Sequence, residues 1–278
     1  MDTATHMLRT GRRGTLFEYA MAFLDLKNSV RRMGLAWSLA WHDVGSRYRG
    51  SILGPFWITL SMGMMVAGIG LVYGKLFGIG VAEFVPLVGL GIVFFGTISG
   101  IINDGCSTFT SASNMLAQTN LPMFTFVWRT VLRNVINLAH HMLIVVVVLL
   151  IYGYWRNIQV TGAVLGLLLL LANSAWISML VAIGSARFRD IPQVVTSIMQ
   201  FAIFITPVFW PANRLAEGRH AVLDLNPFYH MLEAVRAPLM GAHPAPHTYG
   251  ILALMALVGW TLTFAVFSAT RRRIVHYL

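Results

Sequence analysis

The stretch RYRGSILGPFW, residues 47–57, marks the point at which a basic segment gives way to a long uncharged one. Arg47 and Arg49 flank a tyrosine, and no further charged residue follows until Lys75. A mostly apolar interval of this length suffices for a helix to cross the roughly 30 Å hydrocarbon core of a bilayer. We therefore predict that the chain leaves a membrane surface here and enters the membrane.

The composition of the whole chain also favours a membrane protein. Charged residues make up 11% of the 278 residues and mean hydropathy is +0.70, whereas soluble domains contain about 25% charged residues. The net charge of +10 is explained by basic residues flanking membrane spans, so membrane lipids are expected partners and nucleic acid is not. The single cysteine, Cys106, excludes an intramolecular disulfide and a cysteine-based metal cluster, and no metal site is predicted.

Uncharged apolar intervals predict six transmembrane helices, so the predicted fold class is an all-α integral membrane protein. The predicted spans are residues 51–74, 84–104, 127–152, 160–185, 191–210 and 249–270, in a transmembrane domain covering 50–270. Residues 1–49 are predicted to be a cytoplasmic segment and 271–278 a basic cytoplasmic tail. The interval 105–128 is not counted, because its many hydroxyl and amide groups would be costly to bury in lipid.

The distribution of lysine and arginine predicts the orientation. Fifteen of the 20 lie in the segment up to Arg49, in the loops after spans two and four, and in the tail. Because loops rich in these residues stay in the cytoplasm, both termini are predicted to be cytoplasmic. The five on the opposite side are Lys75, Arg156, Arg214, Arg219 and Arg236.

Residues 31–49 are predicted to form an amphipathic helix at the membrane interface. One face of this helix would carry Met33, Trp37, Trp41, Val44 and Tyr48, which recur at spacings of four and three. Asp43 and Arg47 are predicted to pair on another face. A basic helix rich in tryptophan is typical of a membrane surface, and we interpret it either as a topological anchor or as a gating helix beside a substrate path.

The segment 211–249 is too long for a tight turn. Asn226-Pro227 predicts the start of a helix, with an N-cap followed by proline at the first position. An apolar stripe then follows, formed by Met231, Leu232, Val235 and Leu239, while His230, Glu233 and Arg236 are polar. The pattern predicts an amphipathic helix on or in the outer leaflet.

Four blocks occur in order along the chain: YRGSILGPFW at 48–57, ARFRDIPQVV at 186–195, FITPVFWP at 204–211 and LNPFYHMLEAVRAPLMG at 225–241. With this set the chain resembles, from about residue 30 to its end, the membrane permease of ABC-type polysaccharide exporters, which move O-antigens, capsules, teichoic acids and galactan precursors. The resemblance implies a homodimer of six-span subunits in the bacterial inner membrane, with re-entrant half-helices before the last span. It also implies a polysaccharide cargo attached to a polyprenyl diphosphate lipid, and two copies of a separate nucleotide-binding ATPase subunit.

The sequence contains no GxxxxGK[ST] phosphate-binding loop, since its only Gly-Lys pair is followed by leucine. ATP and Mg²⁺ are therefore expected on the partner subunit, and no cofactor is expected on this chain. The family places a coupling helix in the polar loop 107–122, so this loop is predicted to dock the ATPase subunit, together with the helix around 18–32. Its candidate docking residues are Ser113, Asn114, Gln118 and Asn120; the alternative is a solvated connecting loop.

Two groups of charged residues are candidates for other roles on the cytoplasmic side. Arginine binds phosphate in bidentate fashion, so Arg47 and Arg49, and more weakly Arg31 and Arg32, are candidates for binding a lipid diphosphate; the alternative is a topological anchor. The gate candidates are Arg187, Arg189 and Asp190. The alternative for this group is a turn in which Asp190 pairs with an arginine or caps the next helix.

Aromatic and polar residues in the spans are candidates for lining a channel, because sugars stack on aromatic rings. The candidates are Trp57, Tyr73, Phe94, Phe95, Phe209, Asn134, Asn137 and His141. The alternatives are aromatic side chains at the membrane interface and hydrogen bonds between helices. Two other functions stay open at this point: an ABC permease for a drug or lipid, and a membrane enzyme using His140, His141 or Asp104.

Overall fold

The computed structural model describes residues 15–76, 78–212 and 220–277, and all regular secondary structure in these residues is helical. The α-helices are α1 Thr15–Arg31, α2 Met33–Arg47, α3 Phe56–Leu76, α4 Val81–Cys106, α5 Ser113–Gln118, α6 Met123–Ile151, α7 Val160–Arg187, α8 Ile191–Ile205, α9 His220–Asp224, α10 Pro227–Leu239 and α11 Thr248–Tyr277. A short 3-10 helix, Tyr154–Asn157, joins α6 to α7. The predicted all-α membrane fold is confirmed.

Five helices, α3, α4, α6, α7 and α11, are long and apolar enough to cross a membrane. They lie at five of the six predicted spans. At the remaining one, predicted for 191–210, α8 has only 15 residues, which at 1.5 Å per residue is about 22 Å and shorter than the hydrocarbon core. The sixth full-length span therefore stays a prediction.

The chain stops being helical at Thr206 because Pro207 follows, and the residue before a proline is disfavoured in the helical conformation. The irregular backbone that results is enclosed by protein. The side-chain amide of Asn226 donates to the Thr206 hydroxyl at 3.1 Å, and Arg236 donates to the Pro207 carbonyl at 2.6 Å. Such satisfaction by neighbouring groups is what allows non-helical backbone at membrane depth.

The predicted start of α10 is confirmed, since the Asn226 side chain accepts from the N–H groups of Phe228 and Tyr229. The amphipathic pattern of α10 does not produce an exposed polar face, and the position of the helix at the outer leaflet stays a prediction. His230 and Arg236 are 1% and 2% exposed, because α10 packs against α4, α7 and α11. Arg236 is therefore an internal residue paired with Glu233 at 2.7 Å, and not a loop charge; Arg214 and Arg219 lie outside the described residues.

Helix α4 is the central element of the subunit. It packs against α3, α6, α7, α8 and α10, and 78% of its most apolar stretch is buried, against 17% for α3. Small residues permit this density: a Cβ on Gly105 would lie 2.9 Å from the Cα of Ser178 in α7. Close approach at glycine is typical of helix packing in membranes. Most of the surface of α3 is therefore not covered by other helices of the subunit.

The two N-terminal helices lie against different parts of the bundle. Helix α2 packs along α6 and buries Ala36, Ala40 and Val44. The rings of Trp37 and Trp41 stack on each other at 6.3 Å and remain exposed. Helix α1 packs instead against α11 and α6. The helix forms within the predicted segment, but the predicted face is divided: Trp37 and Trp41 are exposed, whereas Val44 is buried and Tyr48 packs beside it.

Candidate functional site

An ion network joins α2 to the centre of the bundle. Arg129 of α6 binds Asp43 of α2 through both ends of its guanidinium, at 2.7 and 2.6 Å. Arg133, one turn further along α6, lies 3.5 Å from Asp43 and 2.8 Å from Asp104 at the end of α4. Asp104 also accepts from the Asn134 amide at 2.9 Å. This interhelical ion network therefore connects α2, α6 and α4.

The interhelical ion network contradicts the predicted Asp43–Arg47 pair and shows the contacts of two candidate residues, Asn134 and Asp104. Asp43 pairs with arginines of α6 and not with Arg47, because two adjacent guanidinium groups from a packed helix reach it. Asn134 is buried within the network, so in this structure it serves as a bond between helices. Asp104 is bound by Arg133 in the same network. Its carboxylate therefore has a structural role, which argues against the membrane-enzyme interpretation.

A second polar junction ties α1 to the start of α6. The Asp25 carboxylate accepts from the N–H groups of Met123 and Phe124, each at 3.1 Å, and lies 3.8 Å from the Arg271 guanidinium near the end of α11. Burial raises the pKa of Asp25, while the two N–H groups and Arg271 act in the opposite direction. This α1–α6–α11 junction fixes three elements to one another beside the loop that precedes α6.

The loop that was predicted to dock a partner has a packed inner face and a polar outer face. It contains the short helix α5, whose Leu116 is buried with Phe109 and Ala112 against residues of α6, α7 and α11. The side chains of Asn114, Gln118 and Asn120 are exposed, and Ser113 is half-buried. Asn114 and Gln118, four residues apart, therefore share the exposed face of α5, and Asn120 follows the helix in the exposed loop.

The four candidate arginines of the lipid-binding site do not form one cluster. Arg31 ends α1 and Arg32 occupies the N-cap position of α2, while Arg47 ends α2 and Arg49 lies in the following turn. The 15 residues of α2 separate the two pairs by about 20 Å. All four are exposed, so each pair can meet an anionic group only as a separate site.

The candidate gate residues lie in the turn between α7 and α8. The Arg187 guanidinium lies over the rings of Phe188 and Tyr277, at 5.0 and 5.8 Å. Asp190 occupies the N-cap position of α8, but its side chain makes no capping hydrogen bond, so the side-chain cap considered from the sequence is absent. Arg189 and Asp190 are exposed.

The candidate channel residues are distributed over different environments. Trp57 and Tyr73 lie at opposite ends of α3, 44% and 42% exposed. Asn137 and His141 are half-buried on α6, and Phe209 is half-buried after α8. Phe94 is 1% exposed inside the subunit, whereas the nearly buried ring of Phe95 forms part of the wall of an open cleft.

This cleft, of about 490 Å³, lies between α3, α4 and α8. Its walls are mainly apolar, but Ser99, Asn103, Thr196 and Gln200 add polar groups. The Thr196 hydroxyl donates to the Asn103 side chain at 3.1 Å, which joins α8 to α4. These four residues were not predicted from the sequence as site residues.

Helix α8 also presents a polar stripe away from the subunit. Gln193, Ser197 and Gln200 are exposed and follow each other at spacings of four and three, so they share one face of the helix. Polar side chains on an exposed face of an apolar helix are costly in lipid. The spacing of the three polar residues is visible in the sequence. Their exposure is not, because it depends on which side of α8 packs against the subunit.

The all-helical bundle with five apolar helices long enough to cross a membrane is the fold of a multi-pass membrane protein. The profile of the ABC-2 type transporter family matches residues 35–240, and the chain belongs to this family. ABC-2 proteins are membrane components of transporters, which is the interpretation that the sequence favoured over a membrane enzyme.

A more specific similarity concerns one characterised relative. The chain is 24% identical to the O-antigen export system permease protein RfbA of Myxococcus xanthus over 230 residues. These cover 81% of this chain and 86% of the relative. The similarity therefore extends over nearly the whole of both proteins.

Proposed function

We propose that this chain is the permease subunit of an ABC exporter that moves a polysaccharide, attached to polyprenyl diphosphate, out across the bacterial inner membrane. Membership of the ABC-2 family and the similarity to an O-antigen export permease support this proposal. The excess of arginine and lysine in the N-terminal segment and tail supports cytoplasmic termini.

The observation that carries the proposal is the polar stripe of α8 beside the cleft between α3, α4 and α8. Only Val195, Met199 and Ala202 of α8 are buried in the subunit, and α3 is equally uncovered. A second copy of the chain facing these helices would shield the stripe from lipid. The path for the glycan would then run between the two copies, along polar groups that bind sugar hydroxyls weakly.

ATP hydrolysis would be carried out by a separate ATPase subunit, because the chain has no phosphate-binding loop. The exposed face of α5 is its proposed docking surface, with α1 beside it. Closure of two ATPase subunits around ATP and Mg²⁺ would push on α5. The push would reach α6 and α11 through the α1–α6–α11 junction, and α2 and α4 through the interhelical ion network.

We assign the diphosphate of the lipid carrier to Arg47 and Arg49. Both are exposed where α2 turns toward α3, and guanidinium groups suit phosphate oxygens. Arg31 and Arg32, at the far end of α2, are the second candidate pair. The exposed tryptophans between the two pairs fit a helix lying along the membrane surface.

Docking can be tested by co-purification with a candidate ATPase subunit from the same genome. The double variant Asn114→Arg/Gln118→Arg should lose the ATPase subunit while keeping the thermal stability of the chain, because both side chains are exposed. The control is Thr161→Arg, which changes an exposed residue at the end of α7 remote from α5. This variant should still bind the ATPase subunit. Retention of the ATPase subunit by the double variant would refute this docking surface.

A permease for a drug or a lipid is the second candidate, and a deletion strain separates the two. Loss of the exporter should remove a surface polysaccharide and cause its lipid-linked form to accumulate inside the cell. Unchanged surface glycan, together with altered drug resistance or lipid distribution, would support the second candidate.

A further inference from the structure

Three side chains outside the proposed transport path converge near the start of α11. Asp224 is the last residue of α9, His230 lies in the first turn of α10, and His247 immediately precedes α11. The Nε2 atom of His247 is 3.4 Å from Oδ1 of Asp224, and the rings of His230 and His247 meet edge to face at 5.7 Å. Each residue offers one ligand atom, and the three atoms lie within 4.8 Å of one another.

The hydrogen bonds of His230 determine which of its nitrogens carries a lone pair. Its Nε2 atom is 2.9 Å from the backbone carbonyl of Asp224. Since a carbonyl only accepts, neutral His230 donates from Nε2 and leaves Nδ1 unprotonated. The Thr248 hydroxyl reaches Nδ1 only at 3.3 Å, near the long limit for such a bond. An imidazole whose second nitrogen donates to a backbone carbonyl is the usual form of a metal-binding histidine.

We propose that Asp224, His230 and His247 form a binding site for a transition-metal dication such as Zn²⁺, with water as the fourth ligand. Two imidazoles and one carboxylate match the ligands of open tetrahedral zinc sites, whereas Mg²⁺ and Ca²⁺ prefer oxygen ligands alone. His230 is held rigidly at 1% exposure. Asp224 and His247 have side chains that are 54% and 51% exposed, so they are free to close on an ion at the required distance of about 2 Å.

The bound ion would fasten α9 and α10 to the start of α11. Leu225 and Asn226 otherwise connect α9 to α10 through a short turn, and His247 follows a non-helical stretch, 242–245. A shared metal would therefore order the segment between α8 and α11, at the end of α11 remote from the α1–α6–α11 junction. Without a metal, the same atoms would hold only the half-exposed contact between His247 and Asp224, which is an ion pair only when His247 is protonated and is weak even then.

The test is a titration of the full-length chain in detergent, purified with an affinity tag free of histidine. Co²⁺ would be added first, because its visible absorption reports a tetrahedral site, and Zn²⁺ would then be added to displace it. We expect one saturable site per chain and a higher unfolding temperature with Zn²⁺, since a ligand that binds only the folded state stabilises it. His247→Ala and Asp224→Asn should each weaken binding by about tenfold or more.

His243→Ala is the matched control, because His243 is another exposed histidine of the same segment and lies 3.2 Å from Gln159. It should bind Zn²⁺ as the unaltered chain does. Since Asp224 and His247 are both half-exposed, their variants should unfold at the metal-free temperature of the unaltered chain. The proposal is overturned if no saturable binding occurs, if His247→Ala binds with unchanged affinity, or if only His243→Ala loses the ion.

Discussion

At the scale of single residues, Asp43 illustrates how packing redirects a charge. In isolation, the Asp43–Arg47 pair on α2 would contribute a few tenths of a kcal/mol, because exposed pairs of this spacing are weak. The α6 partner offers a bidentate guanidinium at 2.6 and 2.7 Å from a carboxylate that is 15% exposed. The second arrangement is the stronger one, and the sequence alone could not show that α6 would supply it.

Replacing Asp43 by alanine should therefore destabilise the chain. We expect the free energy of unfolding in detergent to fall by about 2 kcal/mol, since a hydrogen bond to a charged group contributes about 1.5–3 kcal/mol. Asp190→Ala is the matched control, because that exposed carboxylate makes no capping bond. Its effect should stay within about 0.5 kcal/mol.

A denaturant titration that follows tryptophan fluorescence would measure both variants. Equal destabilisation by the two substitutions would show that the contacts of Asp43 add nothing. In the same experiment, Asp43→Ala and Arg129→Ala should be non-additive, since each removes the same pair.

At the scale of elements, the sequence predicted long helices better than short ones. Charge-free intervals located α3, α4, α6, α7 and α11 because a lipid-spanning helix must be both long and uncharged. At the span predicted for 191–210 the criterion did not locate the end of the helix, because residues 206–210 are uncharged but not helical, and this crossing stays a prediction. The amphipathic pattern of α10 was misleading for another reason: a buried ion pair, Arg236 with Glu233, has the same sequence pattern as a polar surface.

The candidate site was predicted to a similar extent. The polar loop 107–122 was recognisable as lying outside the spans because a run of hydroxyl and amide groups is too costly to bury in lipid, and most of its polar side chains on α5 are exposed. Its role in docking came from the family resemblance and stays a prediction. The channel residues were less predictable, since the adjacent phenylalanines Phe94 and Phe95 look alike in the sequence and only Phe95 lines the cleft. Which face of a helix is covered depends on its neighbours, and hydropathy does not contain that information.

The contact between α7 and α10 allows a test of element packing. A Cβ at Gly166 would collide with the carbonyl of Ala234, so Gly166→Val should force the helices apart. We expect a loss of at least about 1–3 kcal/mol, the usual cost of overpacking, or no folded protein at all. Size-exclusion chromatography and thermal unfolding would measure the effect.

Gly68→Ala in α3 is the matched control for this prediction. Nothing lies within 4 Å of a Cβ at that position, and alanine in a helix interior is favoured over glycine by about 0.5–1 kcal/mol. Its unfolding temperature should be equal to or above that of the unaltered chain. A Gly166→Val variant as stable as Gly68→Ala would show that the α7–α10 contact is looser than the structure indicates.

At the scale of the whole molecule, the uncovered faces of α3 and α8 favour a subunit that pairs with a second copy over one that works alone. An isolated subunit in lipid would leave Gln193, Ser197 and Gln200 facing hydrocarbon, which is unfavourable. If two copies paired around these helices, the polar side chains would no longer face hydrocarbon, and they would line a water-filled path between the copies. The homodimer and the transport path are thus one hypothesis and share one test.

Cysteine accessibility in membranes provides that test, because the single native cysteine, Cys106, is buried and can be replaced. In a Cys106→Ala background with the proposed ATPase subunit present, Gln200→Cys and Ser197→Cys should react with a water-soluble, membrane-impermeant thiol reagent. Val146→Cys should not react, although Val146 of α6 is also exposed on the isolated subunit, at 49%, because that surface would face lipid. Labelling would be quantified by mass spectrometry of the purified chain. No reaction at either α8 position would place α8 in lipid, and equal reaction at positions 146 and 200 would show that water reaches the stripe no more than the outer surface; either result would leave the polar stripe without a role in transport.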